Sequence, residues 1–185
     1  MINSFEVGER FVRYYQNMGF ELLPSAPLLD PSIPMTFVMS AGLVQVETAL
    51  DQLGHSNGNS YVLRQKCFRH FDLDSVGKSN VHLSLFEMPG AFTFGPDGKA
   101  ATIQQMWTMV TKALEIAPDR LWVTYFAGGM KGDHQFPPDV DTYQAWKRIG
   151  FPEERIVALA ACRRDSSRRT RFVLNCAHAQ IVFTH

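Results

Sequence analysis

Alternating apolar and polar residues predict two β-strands, Tyr61 to Arg69 and His82 to Phe94. A short loop lies between them, and it carries Asp72, Gly77 and Lys78. Two β-rich runs that enclose a polar loop are typical of a β-hairpin. The chain is therefore predicted to form a hairpin with charged groups concentrated near its turn.

One face of this hairpin carries side chains that suit a nucleotide. Side chains alternate between the faces of a strand, so Cys67 shares a face with Arg69, and His82 shares one with Phe86 and Met88. Arginine forms paired hydrogen bonds with phosphate oxygens, and a purine stacks on an aromatic ring. If the two faces coincide, they predict a nucleotide site. An ordinary half-buried hairpin with a surface arginine is the alternative that spacing leaves open.

Apolar residues at helical spacing predict four helices. The first has a capping pair, Asn3 with Glu6, and ends at Gly19. The longest occupies residues 99–117, buries a Met/Trp stripe and stops at Pro118. Residues 44–53 and 139–149 are the others, and an aspartate, Asp139 or Asp141, lies near the start of the last.

The remaining pattern predicts strands at 36–39, 121–126 and 157–160, and the last of these is expected to be the final strand of the chain. It also predicts a turn at 95–98 and a loop over 127–138. Hairpin strands and helices that do not strictly alternate favour an α+β fold, an antiparallel β-sheet flanked by helices. A doubly wound parallel sheet is disfavoured because the chain has no glycine-rich phosphate loop between a strand and a helix.

Composition and charge narrow the function classes. The 185 residues are 45% hydrophobic, enough to bury a core in one domain. Residues 1–161 hold 13 Lys/Arg against 17 Asp/Glu, whereas residues 162–185 hold five arginines and one acid. The body therefore lacks the basic balance of a broad nucleic-acid face, and only the C-terminal segment offers a basic patch.

The number of cysteines and the N-terminal residues indicate the cellular compartment in which the protein is expected. Three cysteines, an odd count, favour a reduced, cytoplasmic protein. The opening segment MINSFEVGERF has acids where a secretory leader needs an apolar run, and no stretch approaches 18 apolar residues. We therefore expect a cytoplasmic protein that does not enter a membrane.

Several segments occur in an order that resembles a known family. They are FVRYYQNMGFELLPSAPLL; FVMSAGLVQ; QKCFR followed by DLDSVG, HLSLFEM and GAFTFG; DRLWVTYF; and DTYQAW before FPEERI. Over about residues 4–157 the chain is similar to the N-terminal aminoacylation domain of alanyl-tRNA synthetases, a class II synthetase family. FVMSAGLVQ is similar to the first class II motif, and the segments from QKCFR to GAFTFG to the second.

The resemblance implies roles for hairpin residues. Arg69 matches the arginine that holds the α-phosphate of ATP, and Phe86 matches the ring beneath adenine. Glu87 and Met88 lie beside that ring and would fix the edge of the base. His82 is either a phosphate neighbour or a structural histidine. The implied cofactor is ATP, accompanied by magnesium.

The chain departs from the family at the hairpin turn. Between Arg69 and Asp72 it is about four residues shorter than the family, which has a Gly-Gly-Lys-His run there whose lysine grips the phosphates. A second family arginine aligns with Val81. Lys78 could compensate as a phosphate contact, or it is a solvated turn lysine.

The C-terminal segment departs further, and we predict a partial catalytic core at residues 1–161 and a divergent basic tail at 162–185. The family continues into an alanine pocket, a third motif, and tRNA-binding and editing domains, none of which can be matched here. The tail can be a solvated basic end, an RNA contact, or the product of a truncated or frame-shifted gene. No zinc is predicted, because the spacing of its candidate ligands is not compact, these being Cys162, Cys176, His178 and His185.

The leading functional expectation is a protein similar to alanyl-tRNA synthetases that binds ATP and activates a small amino acid, alanine, as its adenylate. The first alternative is a catalytically inactive paralogue that serves in dimerisation or in association with RNA or protein. The second is transfer of the activated amino acid to an acceptor other than tRNA. Transfer RNA and a second copy of the chain are left open as partners.

Overall fold

The computed structural model describes residues 4–31, 38–39, 41–42, 45–46, 60–70, 73–79, 82–94, 98–131, 134–159, 173–176 and 179–183. The chain forms two compact units, Met1–Pro96 and Asp97–His185.

The first unit begins with helix α1, Ser4–Asn17. Its apolar stripe buries Phe11 and Tyr15, as the periodicity predicts. The helix ends as expected at Gly19, which has a φ of +87°. The amide of Phe20 donates to the carbonyl of Tyr15 and that of Gly19 to Gln16, which is the Schellman arrangement. The predicted capping residue Asn3 lies outside the described residues.

A three-stranded sheet follows, made of β1 (Glu21–Leu22), β2 (Ser60–Phe68) and β3 (Leu85–Thr93) in that order. β1 is parallel to β2, and β2 is antiparallel to β3. The predicted hairpin is confirmed, but β3 begins at Leu85, so the prediction that the strand starts at His82 is wrong. The sheet buries a cluster of apolar side chains: Leu23, Val46, Tyr61 and Leu63, with Phe92 and Phe94 packed against them.

Three predicted elements fall largely on residues outside the described ranges. Of the strand at 36–39, Val38 forms an isolated bridge with Leu29. Most of the helix at 44–53 and of the turn at 95–98 lies outside the described residues.

The second unit starts with helix α2, Gly98–Thr108, which continues as π-helix over Met109–Ala113. The predicted stripe is buried in part: Ile103 and Val110 are fully inaccessible, whereas Trp107 is half-buried. The prediction that the helix reaches residue 117 is wrong, and its α-helical part is shorter than α1. The chain leaves the helix because Glu115 adopts a φ of +57°, after the amide of Leu114 has bonded five residues back to Met109.

This unit also contains a four-stranded sheet in the order β7-β4-β9-β8, made of β4 (Leu121–Phe126), β7 (Ile156–Leu159), β8 (Val173–Cys176) and β9 (Ala179–Phe183). The strand predicted at 121–126 is confirmed as β4. β7 starts one residue before the predicted 157–160 strand and is not the last strand, because β8 and β9 follow. β4 is parallel to β7 and antiparallel to β9.

Residues 127–138 are not the plain loop that was predicted. They contain a small hairpin of β5 (Gly129–Lys131) and β6 (His134–Phe136). Gly128 has a φ of +81°, and a Cβ there would lie 2.8 Å from the carbonyl oxygen of Phe136. Strands of three residues are too short to show a period of two. The flanking glycines and prolines therefore led to the prediction of a loop.

Helices and small sheets of mixed and antiparallel pairing confirm the α+β class. The division of the chain at residue 162 stays a prediction. None of the helices in the described part of the chain has the length and apolar character needed to span a bilayer.

Helix α3, Val140–Arg148, confirms the helix predicted at 139–149, and Asp139 is its N-cap. One carboxylate oxygen of Asp139 accepts from the Thr142 amide at 3.1 Å and from Lys99 Nζ at 2.8 Å. The other oxygen accepts from the Thr142 hydroxyl at 2.9 Å. Desolvation acts to raise the pKa of Asp139, but the hydrogen bonds from Lys99 and Thr142 outweigh it and lower the pKa.

Asp139→Ala should therefore lower the free energy of unfolding by about 2 kcal/mol at neutral pH, since it removes a cap and an ion pair. Because the folded pKa is lowered, the charge-dependent part is complete above the pKa of an unfolded aspartate, about 3.9, and is lost as pH falls through the folded pKa. Urea titrations at several pH values measure this. Asp141→Ala, which changes an exposed carboxylate in the same helical turn, is the control. A deficit for Asp139→Ala that does not shrink in acid would contradict the carboxylate's role.

Candidate functional site

The register of the β2–β3 hairpin brings the two predicted faces together. Cys67 lies opposite Phe86, and Gln65 lies opposite Met88. Side chains directly opposite each other on antiparallel strands project to the same face. Cζ of Arg69, immediately after β2, lies 5.0 Å from the centre of the Phe86 ring. A guanidinium and an aromatic ring therefore share one wall, as the periodicity predicts.

The position of Arg69 is fixed by the sheet rather than by a loop. Its amide donates to the carbonyl of Ser84 at 2.8 Å, which extends the β2–β3 ladder one pair beyond Phe68 and Leu85. The guanidinium over the Phe86 ring makes a cation–π contact. Both side chains are half-buried, so they are held in place while remaining open to a ligand.

Met88 continues the same face towards the interior. Its sulfur accepts a hydrogen bond from the amide of Gly42 at 3.4 Å, and its side chain is half-buried. A Cβ at Gly42 would come within 3.6 Å of the carbonyl oxygen of Met88. That distance is an ordinary van der Waals contact, so the 41–42 segment packs against β3 without depending on a glycine for space.

Glu87 lies on the opposite face of the hairpin from Phe86 and Met88. Its carboxylate accepts a hydrogen bond from Arg64 Nε at 2.6 Å. The side chain is therefore turned away from the wall formed by Arg69 and Phe86, and only the backbone of Glu87 borders that wall.

His82 and Lys78 lie outside the hairpin ladder. His82 precedes β3 by three residues, and its Nδ1 is buried and has no hydrogen-bond partner among the described residues. Lys78 is exposed in the turn that follows a short 3-10 helix, Leu73–Ser75, and its amide donates to the carbonyl of Ser75. Of the predicted site residues, the structure brings Arg69 and Phe86 into contact and leaves His82 and Lys78 at the turn.

Cys67 is a packing residue. It is fully buried opposite Phe86, and its thiol donates to the carbonyl of Gln65 at 3.6 Å. Burial raises the pKa of Cys67 to about 11, although the charge of Arg69 acts to lower it. The thiolate that a nucleophile needs is therefore scarce at neutral pH.

The sequence did not predict a role in supporting the site for two neighbouring residues, Gln65 and Arg64. Gln65 is fully buried, and its side-chain amide exchanges two hydrogen bonds with the backbone of Ala26, at 2.8 and 2.9 Å. Arg64 bonds to carboxylates on the other face of the sheet. A glutamine at an apolar position of the alternation was the available signal for Gln65, whereas nothing local identifies the partners of Arg64.

The groups that the wall presents determine which ligands it can contact. Within the described ranges, no cluster of three or more His, Cys, Asp or Glu side chains could hold a metal ion. The wall instead offers a cation for phosphate oxygens and a ring for a base. That pairing can recognise charge and a flat aromatic group together.

Comparisons with known proteins match this chain to one family and to individual relatives. The family described as class II tRNA synthetases (A) matches residues 6–182. The alanine–tRNA ligase of Cutibacterium acnes is 35% identical over 160 residues, which cover 84% of this chain and 18% of the ligase. Those of Roseiflexus castenholzii and Rhizorhabdus wittichii are 32% and 34% identical, and this chain covers 17% of each. The chain thus spans less than a fifth of the length of these curated relatives.

Proposed function

This chain belongs to the class II tRNA synthetase family, as a relative of the alanyl-tRNA synthetase catalytic domain, and from that premise we propose that it binds ATP and activates alanine as its adenylate. The observation that carries the proposal is the contact between Arg69 and Phe86 on one face of the hairpin. Because the chain spans only a small part of its relatives, activation rather than complete aminoacylation is the step proposed.

Arg69 would act on the phosphates. When the amino-acid carboxylate attacks the α-phosphorus, a bond to the carboxylate oxygen forms and the bond to pyrophosphate breaks. Negative charge builds on the α-phosphate oxygens during this step. The ladder hydrogen bond to Ser84 holds the backbone of Arg69. Once the base has displaced the guanidinium from the Phe86 ring, the guanidinium would stabilise that charge from this fixed backbone position.

Phe86 would hold adenine. The guanidinium of Arg69 covers the ring now, so a nucleotide would replace this cation–π contact with base stacking on Phe86 and a phosphate contact for Arg69. Met88 and the backbone of Glu87 would border the edge of the base. His82 and Lys78, near the turn, are the proposed additional phosphate contacts. Magnesium would arrive bound to the phosphates of ATP.

A catalytically silent paralogue that retains the fold for association with RNA, protein or a second copy is the second candidate. The observation in its favour is the short turn after Arg69, which lacks the Gly-Gly-Lys-His run of the family. Transfer of an activated amino acid to an acceptor other than tRNA would be a variant of the first proposal.

The test is amino-acid-dependent exchange of pyrophosphate into ATP, measured for the wild-type chain with a panel of amino acids and paired with calorimetric titration of ATP. We expect saturable ATP binding and exchange that depends on alanine. ATP binding without exchange for any amino acid would favour the silent paralogue. Absence of both would overturn the proposal, and exchange followed by transfer to a non-tRNA acceptor would identify the variant.

A further inference from the structure

Arg64 connects helix α1 to the hairpin on the face opposite the proposed nucleotide wall. Its Nη1 donates to Glu9 of α1 at 2.9 Å. Its Nε donates to Glu87 of β3 at 2.6 Å, and its Nη2 lies 2.5 Å from the same oxygen. One guanidinium thus bridges two carboxylates that are 78 positions apart in the chain. We refer to Glu9, Arg64 and Glu87 as the clamp.

The clamp is packed closely against α1. The Arg64 side chain is only 17% exposed, less than either carboxylate. It lies over Gly8, where an added Cβ would be 2.9 Å from Nε. A partly buried guanidinium with two charged partners is held more firmly than an isolated surface ion pair, because less of its charge is screened by water.

The backbone of Glu87 faces the outer edge of the sheet. The amide of Arg69 bonds to the carbonyl of Ser84, so the pair formed by these two residues is a hydrogen-bonded pair of the ladder. Hydrogen-bonded and non-hydrogen-bonded pairs alternate along antiparallel strands, which places Phe86 and Met88 in bonded pairs. The N–H and C=O of Glu87 therefore point away from β2. Among the described strands, none pairs with β3 on that side.

We propose that Arg64 is a positioning residue that holds Glu87 so that its outward N–H and C=O meet the hydrogen-bonding edge of the base. This inference rests on the proposed nucleotide site. The side chain of Glu87 anchors the strand from behind, while its backbone presents one donor and one acceptor beside the ring of Phe86. Adenine, whose N1 accepts beside the donating N6 amino group, complements that pair, whereas guanine presents the two functions in the reverse order, with O6 accepting and N1–H donating.

Arg64→Met, which retains the apolar stem but removes the guanidinium, tests the clamp. We expect it to weaken ATP binding about tenfold, a typical size for coupling between contacting residues. It should also reduce the preference for ATP over GTP, while binding of inorganic tripolyphosphate is unchanged. Glu87→Gln should have a smaller effect, and the double variant should be no worse than Arg64→Met. Glu9→Gln is the matched control, because it leaves the Arg64–Glu87 contact intact.

A measurement without nucleotide separates this inference from the proposed function. In NMR relaxation, Arg64→Met should lower the backbone order parameter of the Glu87 amide and leave that of Val62 in β2 unchanged. If Arg64→Met does not fold, Gly8→Ala displaces the guanidinium without removing a charge and should shift the same amide. An unchanged Glu87 amide would overturn the inference whether or not ATP binds. Wild-type protein that binds no ATP would overturn the proposed function, and with it the link from the clamp to a base.

Discussion

Replacing Arg69 with alanine should slow alanine-dependent ATP–pyrophosphate exchange by about 10²- to 10³-fold, the usual consequence of removing one preorganised donor to a developing negative charge. The free energy of unfolding should change by less than about 1 kcal/mol, because the side chain is half-buried and the backbone bond to Ser84 remains. The principal loss should be in kcat, since the charge that Arg69 would stabilise grows towards the transition state.

Three further variants separate the possible causes of that loss. Arg69→Lys keeps a positive charge but not the paired donors, so its rate should lie between those of wild type and Arg69→Ala. Phe86→Leu removes the ring and should raise KM for ATP about tenfold, as loss of stacking on one base does. Arg13→Ala, a change at an exposed position of α1, is the charge-matched control. An Arg69→Ala protein that exchanges at the wild-type rate would remove Arg69 from the proposed mechanism.

The largest expected effect on stability belongs to Gln65. Gln65→Leu should lower the free energy of unfolding by about 3 kcal/mol, because it leaves the amide and the carbonyl of Ala26 without their partners in a partly buried place. The side chain of Gln65 also donates to the carbonyl of Lys66 at 2.7 Å. Its loss should detach the segment around Ala26 from β2, the strand that positions Arg69.

Gln45→Leu is the matched control, because Gln45 bonds to the same segment at an exposed site. Its Nε2 makes one long hydrogen bond, 3.3 Å, to the carbonyl of Pro24. Replacement there should cost less than about 0.5 kcal/mol, as surface substitutions usually do. Urea denaturation of both variants, monitored by circular dichroism, measures the difference. Equal stabilities for the two variants would show that the buried amide does not hold the segment.

The elements predicted correctly have strong local signals. β4 matches its predicted bounds because six apolar and β-favouring residues are enclosed by turn residues, and α1 ends at Gly19 because glycine alone adopts a positive φ without strain. The predictions were wrong where an element depends on contacts with other segments of the chain. The helix predicted to reach residue 117 loses its α-helical hydrogen bonds at Met109, and strands β5 and β6 exist only through their pairing with each other.

The contacts around the candidate site also fall into two groups, those that a local sequence pattern predicts and those that it does not. The alternation of side chains is a property of an extended backbone, so the sequence alone assigned Arg69 and Phe86 to faces that a hairpin could bring together. The family resemblance carried by the ordered segments was also readable from the sequence, and comparison confirmed it.

Only the tertiary structure decided which groups meet across long separations. Gln65 reaches a backbone 39 residues away, and Arg64 reaches a carboxylate 55 residues away on α1. The register of the hairpin likewise placed Cys67 opposite Phe86, and it pointed the backbone N–H and C=O of Glu87 away from β2. The sequence by itself therefore determined the α+β class, the family and the face that carries Arg69 and Phe86. The partners of Gln65, Arg64 and Glu87 depended on how distant segments pack, because no local period encodes the position of a residue from another element.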